Sequence, residues 1–125
     1  MTENELAKIV FNAGMRVHKA LGPGLLESAY EECLYYELNR HGLFVEKQKS
    51  LSLLYEEIKL DAGYRIDLMV EKKLVIEIKS VEALNEIHLA QILTYLKLSG
   101  CKLGLLINFN TVLFKEGVKR VVNHL

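Results

Sequence analysis

Gly63-Tyr64-Arg65-Ile66-Asp67 and, after a charged turn, Leu74-Val75-Ile76-Glu77-Ile78-Lys79-Ser80 are the stretches whose pairing decides the fold. Both read as strands that carry an aspartate, a glutamate and a lysine into apolar sheet. Alternation places Arg65, Asp67 and Met69 on one face and Tyr64, Ile66, Leu68 and Val70 on the other. In the second strand Val75, Glu77 and Lys79 share a face opposite to Leu74, Ile76 and Ile78. Directly paired residues lie on the same face, so Asp67 meets Glu77 only if paired positions sum to an even number. Pairing Val70 with Leu74 across the loop Glu71-Lys72-Lys73 meets that condition; a two-residue loop does not. No glycine or asparagine favours a tight primed turn here. The expectation is a hairpin with Asp67 opposite Glu77 and Lys79 on the same side. Burying unpaired charge costs several kcal/mol or more. Either a divalent metal held by the carboxylates or an ion-pair cluster that includes Arg65 must then account for these residues.

The bulk numbers narrow the field. A chain of 125 residues, half of them hydrophobic and 26% charged, fits one globular domain over residues 1–125 and excludes a disordered chain. Sixteen Lys and Arg balance sixteen Asp and Glu, so no global basic field points to nucleic acid, and any such contact must come from a local patch. No basic arm suited to gripping DNA is evident. Cys33 and Cys101 lack metal-ligand spacing and read as free thiols of a reducing compartment. The N-terminus has no signal-peptide pattern and no apolar run is long enough for a membrane span. The expectation is a cytoplasmic protein with no membrane contact.

Outward from the two strands, the chain alternates between helix and strand signals. Thr2 with Glu5 forms a capping-box pattern, and Leu6, Val10, Ala13, Val17 and Leu21 make a helical stripe that ends at Gly22-Pro23-Gly24. A second helix is expected over 25–40 with Leu26, Tyr30, Cys33, Leu34 and Leu38 inward. Glu27 sits one turn from Tyr30 and is either an ordinary first-turn acid or a ligand. Residues 43–49 and 51–60 have strand character, with Tyr55-Glu56-Glu57 as a turn or bulge. A third helix over 86–99, capped by Asn85 or Ser80 and stopped by Gly100, carries the stripe Leu89, Ile92, Leu93 and Leu96. His88, Gln91 and Tyr95 form a polar stripe beside it, either a solvated flank or the wall of a cleft. Leu103-Gly104-Leu105-Leu106-Ile107 reads as a central strand covered on both faces. Asn108 to Thr111 turns the chain, and 112–114 and 118–122 are short β-prone pieces. Lys115, Lys119 and Arg120 nearby read as a solvated charged edge.

The order of these elements, an acid-bearing helix, strands with Asp and then Glu-x-Lys, a helix with a polar stripe and a buried strand, resembles the PD-(D/E)xK nuclease superfamily. Gly24-Leu25-Leu26-Glu27-Ser28-Ala29-Tyr30 has the form Gly-x-x-Glu-x-x-Tyr and is similar to the signature of the GxxExxY family within it. His18 to Gly24 and Leu105-Leu106-Ile107-Asn108-Phe109 also look like that family. The resemblance implies an α/β fold with a restriction-endonuclease-like core, a central mixed β-sheet flanked by α-helices. It implies a metal-dependent nuclease acting on nucleic acid, with DNA the expected substrate. Asp67 and Glu77 would be metal ligands, joined by the main-chain carbonyl of Ile78 and by Glu27, and Lys79 would be the catalytic lysine. The ion would be Mg²⁺ or Mn²⁺, which carboxylate and carbonyl oxygens suit. Gln91 and Tyr95 match a Gln-x-x-x-Tyr element that helps hold substrate, with Tyr30 and His88 as further substrate contacts. Ile66 stands where many members have proline before the aspartate. A homodimer would let so small a nuclease contact more nucleic acid. A non-catalytic module that binds nucleic acid or protein on the same fold is the alternative.

Overall fold

A computed structural model describes residues 1–125, the side chain of Ala62 excepted. Its elements are α1 (Glu3–Leu21), α2 (Glu27–Arg40), β1 (Val45–Tyr55), β2 (Ile58–Val70), β3 (Leu74–Lys79), α3 (Glu86–Ser99), β4 (Leu103–Asn108), a 3₁₀ turn (Phe114–Gly117) and β5 (Val118–Val122). The strands form one sheet in the order β1-β2-β3-β4-β5. Only β3 and β4 run parallel, joined by α3 as the crossover; the other neighbours are antiparallel. This is the mixed α/β architecture that the resemblance implies. Among the described residues no helix is long and apolar enough to cross a membrane.

Helices cover both faces of the sheet. Leu6, Val10, Ala13 and Val17 of α1, with Tyr30, Leu34 and Leu38 of α2, pack on Leu68, Val70, Leu74, Ile76, Leu105 and Ile107. On the other face Ile92, Tyr95 and Leu96 of α3 cover Met69, Val75 and Leu106. β3 and β4 are buried throughout, apart from a partly exposed Lys79, as parallel strands sandwiched between helices must be. Gly104 fits beneath α3 because a Cβ there would press on Ile92 and Leu96.

Local signals set the helix ends. Thr2 and Glu5 make the reciprocal capping box, Asn85 caps α3, and Gly100 closes it in the left-handed region at φ 75°. Three expectations about apolar stripes fail at helix ends. Leu26 is not on the inner face of α2: the helix starts only at Glu27, and Leu26, as its N-cap, lies exposed. Leu21 and Leu89 are also exposed, because the last turn of α1 and the first of α3 overhang the sheet.

β1 and β2 differ most from expectation. Residues 51–60 fold back at Glu56-Glu57, within the turn or bulge expected there, so Tyr55 pairs with Ile58 and the two halves belong to different strands. Glu56 takes the left-handed conformation, at φ 54°, that this tight turn demands. Beyond Gly63 the strand continues, and β2 pairs with β3 only over Leu68–Val70 while it pairs with β1 out to Ile58. The distal part of the β1–β2 hairpin therefore projects from the sheet as a two-stranded arm. Residues 112–114 form no strand; Phe114 instead opens the 3₁₀ turn and packs on Phe11 and Phe109. Gly117 is required there because a Cβ would collide with the Asn108 carbonyl.

Tyr30 lies fully buried and stacks on Phe109 with ring centroids 4.4 Å apart. Its hydroxyl donates to the Gly22 carbonyl (2.5 Å) and accepts from the Leu25 N–H (3.1 Å). It is thus not a substrate contact, as the sequence suggested, but a clamp on the loop that delivers α2. Tyr30→Phe is expected to lower stability by about 1–3 kcal/mol, the cost of leaving a buried main-chain group unpaired, measured by urea denaturation.

Candidate active site

The β2–β3 hairpin has the register that parity required. Val70 pairs with Leu74, Met69 with Val75 and Leu68 with Ile76, which sets Asp67 opposite Glu77. Its turn reaches this register without glycine: Glu71 (φ 51°) and Lys72 (φ 56°) are both left-handed, and Lys73 N–H closes on the Val70 carbonyl at 2.9 Å. Glu71 is tied to Phe44 through both its N–H and its carboxylate, which offsets the strain of roughly 1–2 kcal/mol per such residue.

Where the regular ladder stops, the side chains of Asp67 and Glu77 replace it. The Asp67 N–H donates to Glu77 Oε2 and the Ile78 N–H donates to Asp67 Oδ2, each at 2.8 Å. In an extended strand the N–H and C=O of one residue point to the same edge, so the Ile78 carbonyl faces this gap as well. Glu77 is only 3% exposed. Burial pushes its carboxyl up to about 8, and the neighbouring Asp67 charge adds to the effect. Burial also raises Asp67, opposed by the Ile78 N–H, Gln48 and Lys79.

No ion pair joins these acids to a cation among the described residues; the pairs present are Arg16–Glu37, Lys47–Glu32 and Lys49–Glu46. Arg65, the fourth member of the alternative ion-pair cluster, is exposed opposite Ser50. Lys79 instead donates to Gln91 Oε1 at 3.4 Å, and Gln91 Nε2 donates to the Tyr95 hydroxyl at 3.2 Å. Tyr95 is raised above the usual phenol range by burial first and by Glu77 second. The Gln-x-x-x-Tyr pair therefore reaches the lysine from α3. His88 does not join them: its Nδ1 accepts from the Asn85 N–H in the cap of α3.

Asp67 also lines a cleft of about 690 Å³ with Glu27, Glu31, Gln48 and Ser80, among others. Glu27 Oε2 accepts the Ser80 N–H at 3.2 Å, holding α2 to the end of β3. Glu31 and Gln48 were not singled out in the sequence. Gln48 Nε2 donates to Glu31 Oε1 (2.8 Å) and Asp67 Oδ1 (3.2 Å), from a backbone in the left-handed region at φ 49°. Burial raises the Glu31 carboxyl, and Asp67 raises it further. Glu31 was signalled by its place one turn beyond Glu27, on the same helical face. Gln48 had no such signal.

The residues present fit a divalent ion. Two carboxylates lie side by side without a paired cation, both driven toward their protonated forms, with a main-chain carbonyl facing the same gap. Among the described residues no three His, Cys, Asp or Glu side chains form a ready metal cluster. The remaining positions would fall to main chain and water, as suits Mg²⁺, which keeps several waters.

The family model of the PD-(D/E)XK nuclease superfamily matches residues 4–121. No curated protein and no solved structure matches the chain.

Glu77 makes stability depend on pH. Its carboxyl titrates near 4.5 when unfolded and near 8 when folded. Between these values the folded chain holds a proton that the unfolded chain has released, so stability falls as pH rises through that window. Thermal unfolding without divalent ions should show a loss on the order of a few kcal/mol between pH 5 and pH 8. Glu77→Gln should flatten most of that slope.

Proposed function

The chain belongs to the PD-(D/E)XK nuclease superfamily, and from this we propose that it is a divalent-metal-dependent nuclease that hydrolyses phosphodiester bonds. DNA is the substrate carried over from the resemblance, and Gly24, Glu27 and Tyr30 support reading the chain as a member of the GxxExxY group, with a single domain over residues 1–125. The observation that carries the proposal is the facing pair Asp67 and Glu77, held across the end of the β2–β3 ladder by each other's strand.

Asp67, Glu77 and the Ile78 carbonyl would hold Mg²⁺ or Mn²⁺, with Glu27, which lines the same cleft as Asp67, completing the acidic site. Bound there, the ion would supply a water of lowered pKa and offset charge on the phosphate. Lys79 contributes a compact positive charge on a flexible stem. It would hold the attacking water and stabilise negative charge as it develops on the phosphate oxygens. Gln91, anchored by Tyr95, limits where the Lys79 ammonium can swing. Burial of Glu77 and the raised carboxyl of Asp67 disfavour an empty, fully ionised pair, so binding of the cation and loss of protons are coupled. Affinity for the ion should therefore rise with pH. His88, engaged in the cap of α3, and Tyr30, in the core, are left out of the substrate contacts. Free Cys33 and Cys101 suit the reducing cytoplasm as the setting.

The test is purified protein against labelled DNA and RNA, single and double stranded, with Mg²⁺ and with Mn²⁺. Cleavage is expected with either ion and should fall by about a hundredfold or more in Asp67→Ala and in Lys79→Ala, the scale of removing one transition-state stabilising group. Both variants should keep the wild-type circular dichroism. Activity unchanged in Lys79→Ala would rule out the site. Divalent ions should also raise the melting temperature of the wild type and not of Asp67→Ala.

A further inference from the structure

The projecting arm has two unlike faces. Cross-strand partners share a face, and the pairs Leu51–Tyr64, Leu53–Leu60 and Tyr55–Ile58 make one side apolar, across a register shift between Leu51 and Leu53. Ser50–Arg65 and Leu54–Lys59 lie on the other side, where alternation also puts Ser52; that side is mixed, with Leu54 as its one exposed apolar residue among these. Leu51 packs against the cluster beneath α3 with Ile66, so the ladder begins as core and runs out into solvent. At its outer end Tyr55 is 65% exposed, Ile58 56%, Leu60 40% and Tyr64 37%. A two-stranded hairpin is at best marginally stable in water on its own, and an uncovered apolar face is a docking surface in waiting.

We propose that this face pairs with the same face of a second copy of the chain, making a two-fold dimer through the arms. Two observations favour a second copy. The arm carries Lys49, Lys59 and Arg65 against Glu56, Glu57 and Asp61, a balance unsuited to a polyanion. Finally, two tyrosines and their aliphatic neighbours from each copy would bury on the order of 1,000 Å² in total, about the threshold of a specific interface. The dimer is independent of the chemistry proposed above.

Sedimentation equilibrium of the full chain is expected to give twice the mass of one chain, dissociating on dilution. Ile58→Glu, and separately Tyr55→Lys, should return the mass of one chain with unchanged circular dichroism; both side chains are more than half exposed, so the fold does not depend on them. Ile58→Leu should remain dimeric. A wild type that stays at the mass of one chain overturns the proposal, as does a dimer that neither charged variant splits. A monomeric wild type whose nucleic-acid binding is lost in Ile58→Glu would overturn it too, and would assign the arm to nucleic acid.

Discussion

Everything at the site follows from two carboxylates that finish a β-ladder. Past Leu68 and Ile76 the strands β2 and β3 no longer exchange regular main-chain bonds, and the N–H groups of Asp67 and Ile78 would be orphaned. The Glu77 and Asp67 side chains take them. Each acid is thereby held in place by the strand opposite, and the pair is kept close despite the repulsion that raises Glu77. The arrangement costs stability above neutral pH, and a sequence selected for stability alone would place apolar residues there. Strain of this kind, confined to one point of an otherwise well-packed sheet, is what the proposed chemistry would ask of the position.

The fold was legible where local rules coincide with tertiary ones. The register that faces Asp67 with Glu77 held because a single turn sets it; strict alternation beyond it did not, since Ile66 joins Met69 and Val75 beneath α3 and not Leu68 and Val70. The Thr2–Glu5 box and Gly100 held because capping is short-range. Leu26 misled because periodicity has no end marker: an apolar residue just before a helix looks like part of its stripe. The β1–β2 turn was visible as a turn or bulge at Tyr55-Glu56-Glu57, although it lacks the glycine or asparagine that announces a left-handed turn. The continuous β2 was hidden, since Gly63, which looks like a boundary, is absorbed within the strand.

The site was legible in its line along the chain and less so in its depth. Asp67, Glu77 and Lys79 are close in sequence and belong to two paired strands, so alternation reveals them. Glu31 and Gln48 come to Asp67 from two other elements, and no spacing rule links positions 31, 48 and 67. Tyr30 shows the opposite error. As part of a motif that includes Glu27 it looked like a substrate contact, but one turn of α2 separates a side chain at the cleft from one in the core.

The hairpin between β2 and β3 also bears on the order of folding. Asp67 and Glu77 meet through a turn of three residues, a contact that forms in microseconds, whereas β3 can pair with β4 only after α3 has been laid across the sheet. The two acids therefore face each other while still wet and ionised. Their desolvation waits for the docking of a strand almost thirty residues further on. Uptake of a proton by Glu77 belongs to that burial, so the cost of the site at alkaline pH falls on the closed sheet and not on its first hairpin.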